Sequence, residues 1–181
     1  DDGTLLEEDS YRVYYPIRHE DGAFDGLAGA ESIAIAAVLA GAGGDAALAQ
    51  SRLLLVEADE SVSVGAARAV VTLLDGDAAA ADDAVRDLAG QADASRVEAE
   101  VNGMGYALLQ TGHPEQALAV FELNTRVFPD AFNTWDSLGE AYMELGRDEE
   151  AIASYERSLA LNPENENAVL MIERIREGTT P

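Results

Sequence analysis

The chain has 181 residues and 48% of them are hydrophobic, enough to bury the core of one domain. Acidic residues outnumber basic ones 35 to 11, for a formal charge of −24, and a surface of that sign repels nucleic-acid phosphates and anionic lipid. Cysteine is absent, which excludes disulfides, thiolate catalysis and cysteine-ligated zinc.

All 11 basic residues are arginine. Two origins account for this balance equally well: a salt-adapted source, in which dissolved salt relieves the self-repulsion, or an acidic protein from a GC-rich genome. No charge-free apolar run approaches the ~18 residues of a membrane span, and no secretory leader pattern is present. The compartment stays open between cytoplasm and periplasm. The chain opens at Asp1-Asp2 without an initiating methionine, which suggests a piece of something longer.

Residues 1–30 read as an N-terminal arm. Thr4 and Glu7 have the spacing of a capping box. Tyr11 to Pro16 reads as an extended strand ended by proline, and Gly22 to Gly29 as a glycine-interrupted turn. Half of the six tyrosines lie in this arm, which is expected to pack those rings on the first helices; a linker that docks a neighbouring domain is the alternative.

From Glu31 the apolar period becomes helical, through Ile33, Val38 and Leu39, until Gly41-Ala42-Gly43-Gly44 breaks it. Asp45 is placed to cap a second helix carrying Leu48 and Leu53. A third pattern spans Val64 to Leu74 and ends at Asp75-Gly76-Asp77; a fourth runs through Val85 and Leu88 to Gly90. Residues 31–96 are thus two helical hairpins. Their turn glycines, Gly44 and Gly76, lead to Gly112 in steps of 32 and 36 residues, and Ala49 and Leu53 stand where Ala117 and Phe121 stand in the next unit. An exposed apolar face on these two hairpins would permit a homodimer.

Residues 97–165 contain one unit written twice. Gly105 and Gly139, Gly112 and Gly146, Ala117 and Ala151, Phe121 and Tyr155, and Pro129 and Pro163 are all 34 residues apart. The second copy reads Trp135-x-x-Leu138-Gly139-x-x-Tyr142, then Ala151, Tyr155 and Pro163, and it resembles the tetratricopeptide repeat (TPR). The first copy keeps the glycine, alanine, phenylalanine and proline but has Val101, Met104 and Leu108 at the other signature positions. The resemblance implies paired helices, from about Val97 to Leu109 and Pro114 to Phe128, then Phe132 to Leu145 and Asp148 to Leu161. It also implies that Trp135, Leu138, Tyr142 and Tyr155 fill the space between pairs. Asn167 to Glu177, within 166–178, reads as a capping helix. The expected fold is an all-α TPR solenoid of about four hairpins, with a capping helix and a short arm.

Catalytic patterns are missing. His19 and His113 are the only histidines and lie far apart, and neither a Gly-x-Ser-x-Gly elbow nor a phosphate loop occurs. Asp75, Asp77, Asp82 and Asp83 lack the twelve-residue loop that calcium requires. No enzyme activity, cofactor or metal is therefore expected.

The TPR likeness implies a concave face lined by the first helix of each pair. It points to Asn102, Tyr106, Leu109 and Gln110 in one unit, and to Asn133, Asp136, Ser137, Glu140 and Glu144 in the next, as partner-binding residues. With three acids in the second set, the expected ligand is a protein or peptide segment bearing basic, or mixed apolar and basic, side chains. Residues 98–175 further resemble the TPR tail that follows the catalytic domain of some bacterial serine hydrolases, of the β-lactamase-related and esterase types. The likeness rests on Asn102 to Leu109, Phe121 to Asn124, Phe128-Pro129, Asp136 to Tyr142 and Ser158 to Pro163. It implies, as the alternative, a regulatory or docking tail separated from such an enzyme.

Overall fold

The computed structural model describes residues 29–178. Among them the regular elements are nine α-helices: α1 (Gly29–Ala42), α2 (Ala46–Leu54), α3 (Val62–Leu74), α4 (Ala78–Gln91), α5 (Ala94–Gln110), α6 (Pro114–Val127), α7 (Phe132–Glu144), α8 (Asp148–Leu161) and α9 (Glu166–Arg176). The Thr4 capping box, the Tyr11–Pro16 strand, the turn up to Ala28 and His19 lie outside the described residues.

Four hairpins share one turn. Gly44, Gly76, Gly112 and Gly146 hold φ of 81°, 98°, 81° and 67°, a left-handed conformation in which a Cβ would be strained. The residue after each glycine donates its N–H five residues back: Asp45 to the Ala40 carbonyl, Asp77 to Thr72, His113 to Leu108 and Arg147 to Tyr142, at 2.9, 3.2, 2.9 and 2.8 Å. This is a Schellman turn, which satisfies carbonyls left over at a helix end. The next helix starts at once, capped by local chemistry. Asp45 and Asp77 accept from the amides of Leu48 and Ala80. Pro114 opens α6, where no donor is needed, and Asp148, Glu149 and Glu150 sit at the positive end of α8.

The same spacing governs packing. Five residues beyond each turn glycine stand Ala49, Ala81, Ala117 and Ala151, all fully buried, and nine beyond stand the buried Leu53, Val85, Phe121 and Tyr155. Gly105 and Gly139 are the small residues facing the last two rings. A Cβ on Gly139 would lie 2.9 Å from Tyr155 Cε1, and one on Gly105 would overlap Phe121 Cε1.

Successive hairpins stack into a solenoid. α3 is buried around most of its girth, through Val64, Ala66, Ala67, Ala69, Val70 and Val71, because α1, α4 and α5 all pack on it. α1 also reaches past α3 to touch α5, so the N-terminal hairpins form a tighter bundle. One core runs from Ala34 to Ala141. A second gathers Met143, Ala151, Tyr155, Ala168, Ile172 and Ile175, and Tyr142 borders both. α9 covers α8 with Ala168, Ile172 and Ile175, leaving Val169 and Leu170 exposed.

Three expectations are adjusted. α1 begins at Gly29, inside the residues assigned to the arm. α5 begins at Ala94, three residues before Val97, because Asp93 accepts from the amides of both Ser95 and Arg96. Trp135 is only partly buried: its indole N–H donates to the Pro129 carbonyl at 2.9 Å, and the Arg157 guanidinium lies 5.7 Å from the ring centre. At the C-terminal end of α2, Leu54 and the following Leu55 are 67% and 74% exposed.

Candidate partner-binding groove

On α5, Glu98, Asn102 and Tyr106 are four residues apart and share one face. On α7, Asn133, Asp136, Ser137, Glu140 and Glu144 form the corresponding stripe. The two stripes meet at both ends. Asn133 Nδ2 donates to Glu98 Oε1 at 2.9 Å, and the Tyr106 hydroxyl donates to Glu140 Oε2 at 2.8 Å and lies 3.2 Å from Ser137 Oγ. The bonded pairs are separated by 35 and 34 residues, so α5 and α7 run parallel, one repeat out of step. α9 closes the other side: Asn165 and Asn167 donate their amides to the two oxygens of Asp136 at 2.7 and 2.9 Å.

The predicted residues occupy three depths. Tyr106, Asn133, Asp136 and Glu140 are half-buried and tied into the seams between helices. Asn102 and Ser137 lie beneath them, 5% and 1% exposed, so they support the surface more than they form it. Gln110 and Glu144 stand exposed at the helix ends, where no side-chain hydrogen bond holds them among the described residues; Leu109 is half-buried. Sequence reasoning missed Glu98, Asn165 and Asn167. Two signals were available: Glu98 precedes Asn102 by one helical turn, and Asn167 follows Asn133 by 34 residues.

Burial raises the carboxyl groups of Glu98, Asp136 and Glu140 above their ordinary range, because a charged carboxylate loses hydration there. The amide and hydroxyl donors oppose that effect at each site, while the charges of Asp136 and Glu144 add to it at Glu140. Among the described residues, arginine pairs with other acids. Arg126 and Arg86 take Asp82, Arg96 takes Glu100, Arg147 takes Glu150 and Arg176 takes Glu156. Among the described residues, the side-chain donors to Glu98, Asp136 and Glu140 are amides and a hydroxyl. Beneath the groove, Asn102 Oδ1 and Tyr155 Oη are buried without a hydrogen-bond partner among the described residues. No cluster of three or more histidine or acidic side chains there is arranged to hold a metal, and no described helix is long and apolar enough to cross a membrane.

The 34-residue step that relates Tyr106 to Glu140 is also the length of one unit. Residues 132–165 match the family model of the tetratricopeptide repeat. The matched stretch comprises α7, α8 and their flanking turns, and so contains Asn133, Asp136, Ser137, Glu140 and Glu144. Similar solved structures include a crystal structure of MamA, 17% identical over 75% of this chain and 80% of that one, with a TM-score of 0.47. The first TPR domain of Spaghetti (RPAP3), bound to the HSP90 peptide SRMEEVD, is 20% identical over 66% and 94% of the two chains, with a TM-score of 0.45. The APC/C hetero-tetramer Cut9–Hcn1 is 16% identical over 82% of this chain and 30% of that one, with a TM-score of 0.46. No curated relative matches the chain. The resemblance of residues 98–175 to hydrolase tails gains no support from these neighbours.

Proposed function

We propose that the chain is a non-catalytic interaction scaffold that binds a basic, or mixed apolar and basic, protein segment in the groove between α5, α7 and α9. The supporting observation is the distribution of charge partners. Asp82, Glu100, Glu150 and Glu156 are neutralised by arginines of the chain itself, whereas the more buried Glu98, Asp136 and Glu140 are held by amides and a hydroxyl. Such donors fix the carboxylates in place and leave their charge uncancelled. A ligand cation entering this half-buried site is attracted more strongly than it would be at an open surface. In the same reading, α1–α2 and α3–α4 are degenerate copies of the repeat that extend the array and brace α5.

The test is titration of the full chain with short peptides of equal length and graded charge. Peptides bearing arginine or lysine should bind, with affinity falling as salt is added. The Glu98→Gln/Glu140→Gln variant, which keeps both acceptors but removes two charges, should bind at least about tenfold more weakly. Unchanged binding in that variant would remove the groove from the interaction.

A further inference from the structure

The acidic stripe of α7 has an apolar continuation on α9. One repeat of 34 residues onward, Asn133, Asp136, Ser137 and Glu140 lead to Asn167, Leu170, Met171 and Arg174. The packing keeps this register. Asn167 donates to Asp136 at 2.9 Å, so its face of α9 borders the α7 stripe. Leu170 and Arg174 follow Asn167 at helical spacing on that face. Ala168, Ile172 and Ile175 lie on another side, buried with Ala151 and Tyr155 of α8.

Leu170 is out of place on a cap. The last element of a stacked array ordinarily turns a polar face outward. Among the described large hydrophobic residues only Leu54 and Leu55 are more exposed than Leu170, which is 51% exposed. Met171 beside it is half-buried, and Arg174 Nη1 lies 4.0 Å from Met171 Sδ. The face that is acidic on α7 is therefore apolar on α9 and edged by a guanidinium. A second ligand cation there would meet Arg174, whereas an apolar side chain would remove Leu170 from water.

We propose that Leu170, with Met171, forms an apolar subsite at the α9 edge of the groove, which takes a large apolar side chain of a ligand whose basic residue stands against Asp136 and Glu140. The inference rests on the groove reading above and sharpens its ligand. Neighbouring packed helices lie about 8–10 Å apart. An extended polyproline-type segment advances about 9 Å in three residues and returns to the same side. The partner is thus a segment with one basic and one large apolar residue three positions apart, not a uniformly basic one.

The experiment titrates the full chain with peptides of equal length and charge. One pair carries arginine and leucine three positions apart, in each order; a matched pair has serine in place of leucine. In at least one order leucine should tighten binding about tenfold. Leu170→Ser should remove that preference, leave the affinity for the serine peptides unchanged and, at an exposed position, leave the melting temperature unchanged. Leu170→Met, which keeps an apolar side chain, should retain the preference. Glu140→Gln should weaken all the peptides alike. Equal affinity for leucine and serine peptides in both orders overturns the subsite and leaves the groove reading standing. A leucine preference that survives Leu170→Ser also overturns the subsite, because the apolar contact then lies elsewhere. Failure of every peptide to bind overturns both readings.

Discussion

Tyr155 shows how one atom can be out of step with its repeat. Its ring fills the site that Phe121 fills in the preceding unit, against Gly139 instead of Gly105, but it brings a hydroxyl that is buried without a partner among the described residues. Burial and then the nearby charges of Asp136, Glu140 and Glu144 push that hydroxyl's ionisation far up. An unsatisfied buried hydroxyl costs about 1–3 kcal/mol, so Tyr155→Phe is expected to be neutral or to stabilise the fold by about 1 kcal/mol in urea unfolding. A loss of more than ~1 kcal/mol would show that the hydroxyl has a partner. Trp135 lies at the other limit. Full burial of a tryptophan would make Trp135→Ala cost about 3–5 kcal/mol, but Trp135 is only partly buried and the expected cost is about 1.5–3 kcal/mol. The signature at Trp135 was legible in the sequence; its exposure was not, because exposure depends on what lies above the ring.

At the scale of elements, the helices were readable because each end carries its own chemistry. The boundaries of α8 follow from Asp148 and Pro163, and every turn glycine from Gly44 to Gly146 was visible as a break. α5 was read short because its first turn, Ala94-Ser95-Arg96, has no large apolar residue to start the period. The groove was half legible. Spacing along α5 and α7 could be counted, but the clamp on Asp136 comes from Asn165 and Asn167, side chains whose approach only the packing of α9 determines. The seams also predict a pH response. Glu98, Asp136 and Glu140 have folded-state pKa values above those of the unfolded chain, so the folded state binds protons more readily. Their contribution to stability is fully present below the ordinary carboxylate range and is lost as pH rises through the raised values. Glu98→Gln/Glu140→Gln should flatten this part of the stability profile, from the ordinary carboxylate range upward, measured by urea unfolding at each pH. A profile as steep as the wild type would assign the titration elsewhere.

For the whole molecule, charge is the governing quantity. A net charge of −24 works against compaction, and dissolved salt screens it over about 10 Å at 0.1 M and about 3 Å at 1 M. The melting temperature is therefore expected to rise by a few degrees, roughly 2–4 °C per kcal/mol gained, between low and molar salt in calorimetry. A melting point that falls with salt would show that the ion pairs of Asp82, Glu150 and Glu156 outweigh the repulsion. Salt should act on binding in the opposite direction, since it weakens attraction to the groove. The second core, shared with the first only at Tyr142, adds a further consequence. A molecule with two cores need not open all at once, and α9 belongs to the smaller one. If α9 peels away, its amide protons exchange early, and Asp136 loses Asn165 and Asn167 in the same event. One edge of the proposed groove would then be erased and rebuilt by ordinary breathing of α9, so the lifetime of that helix would set how long the proposed surface is complete.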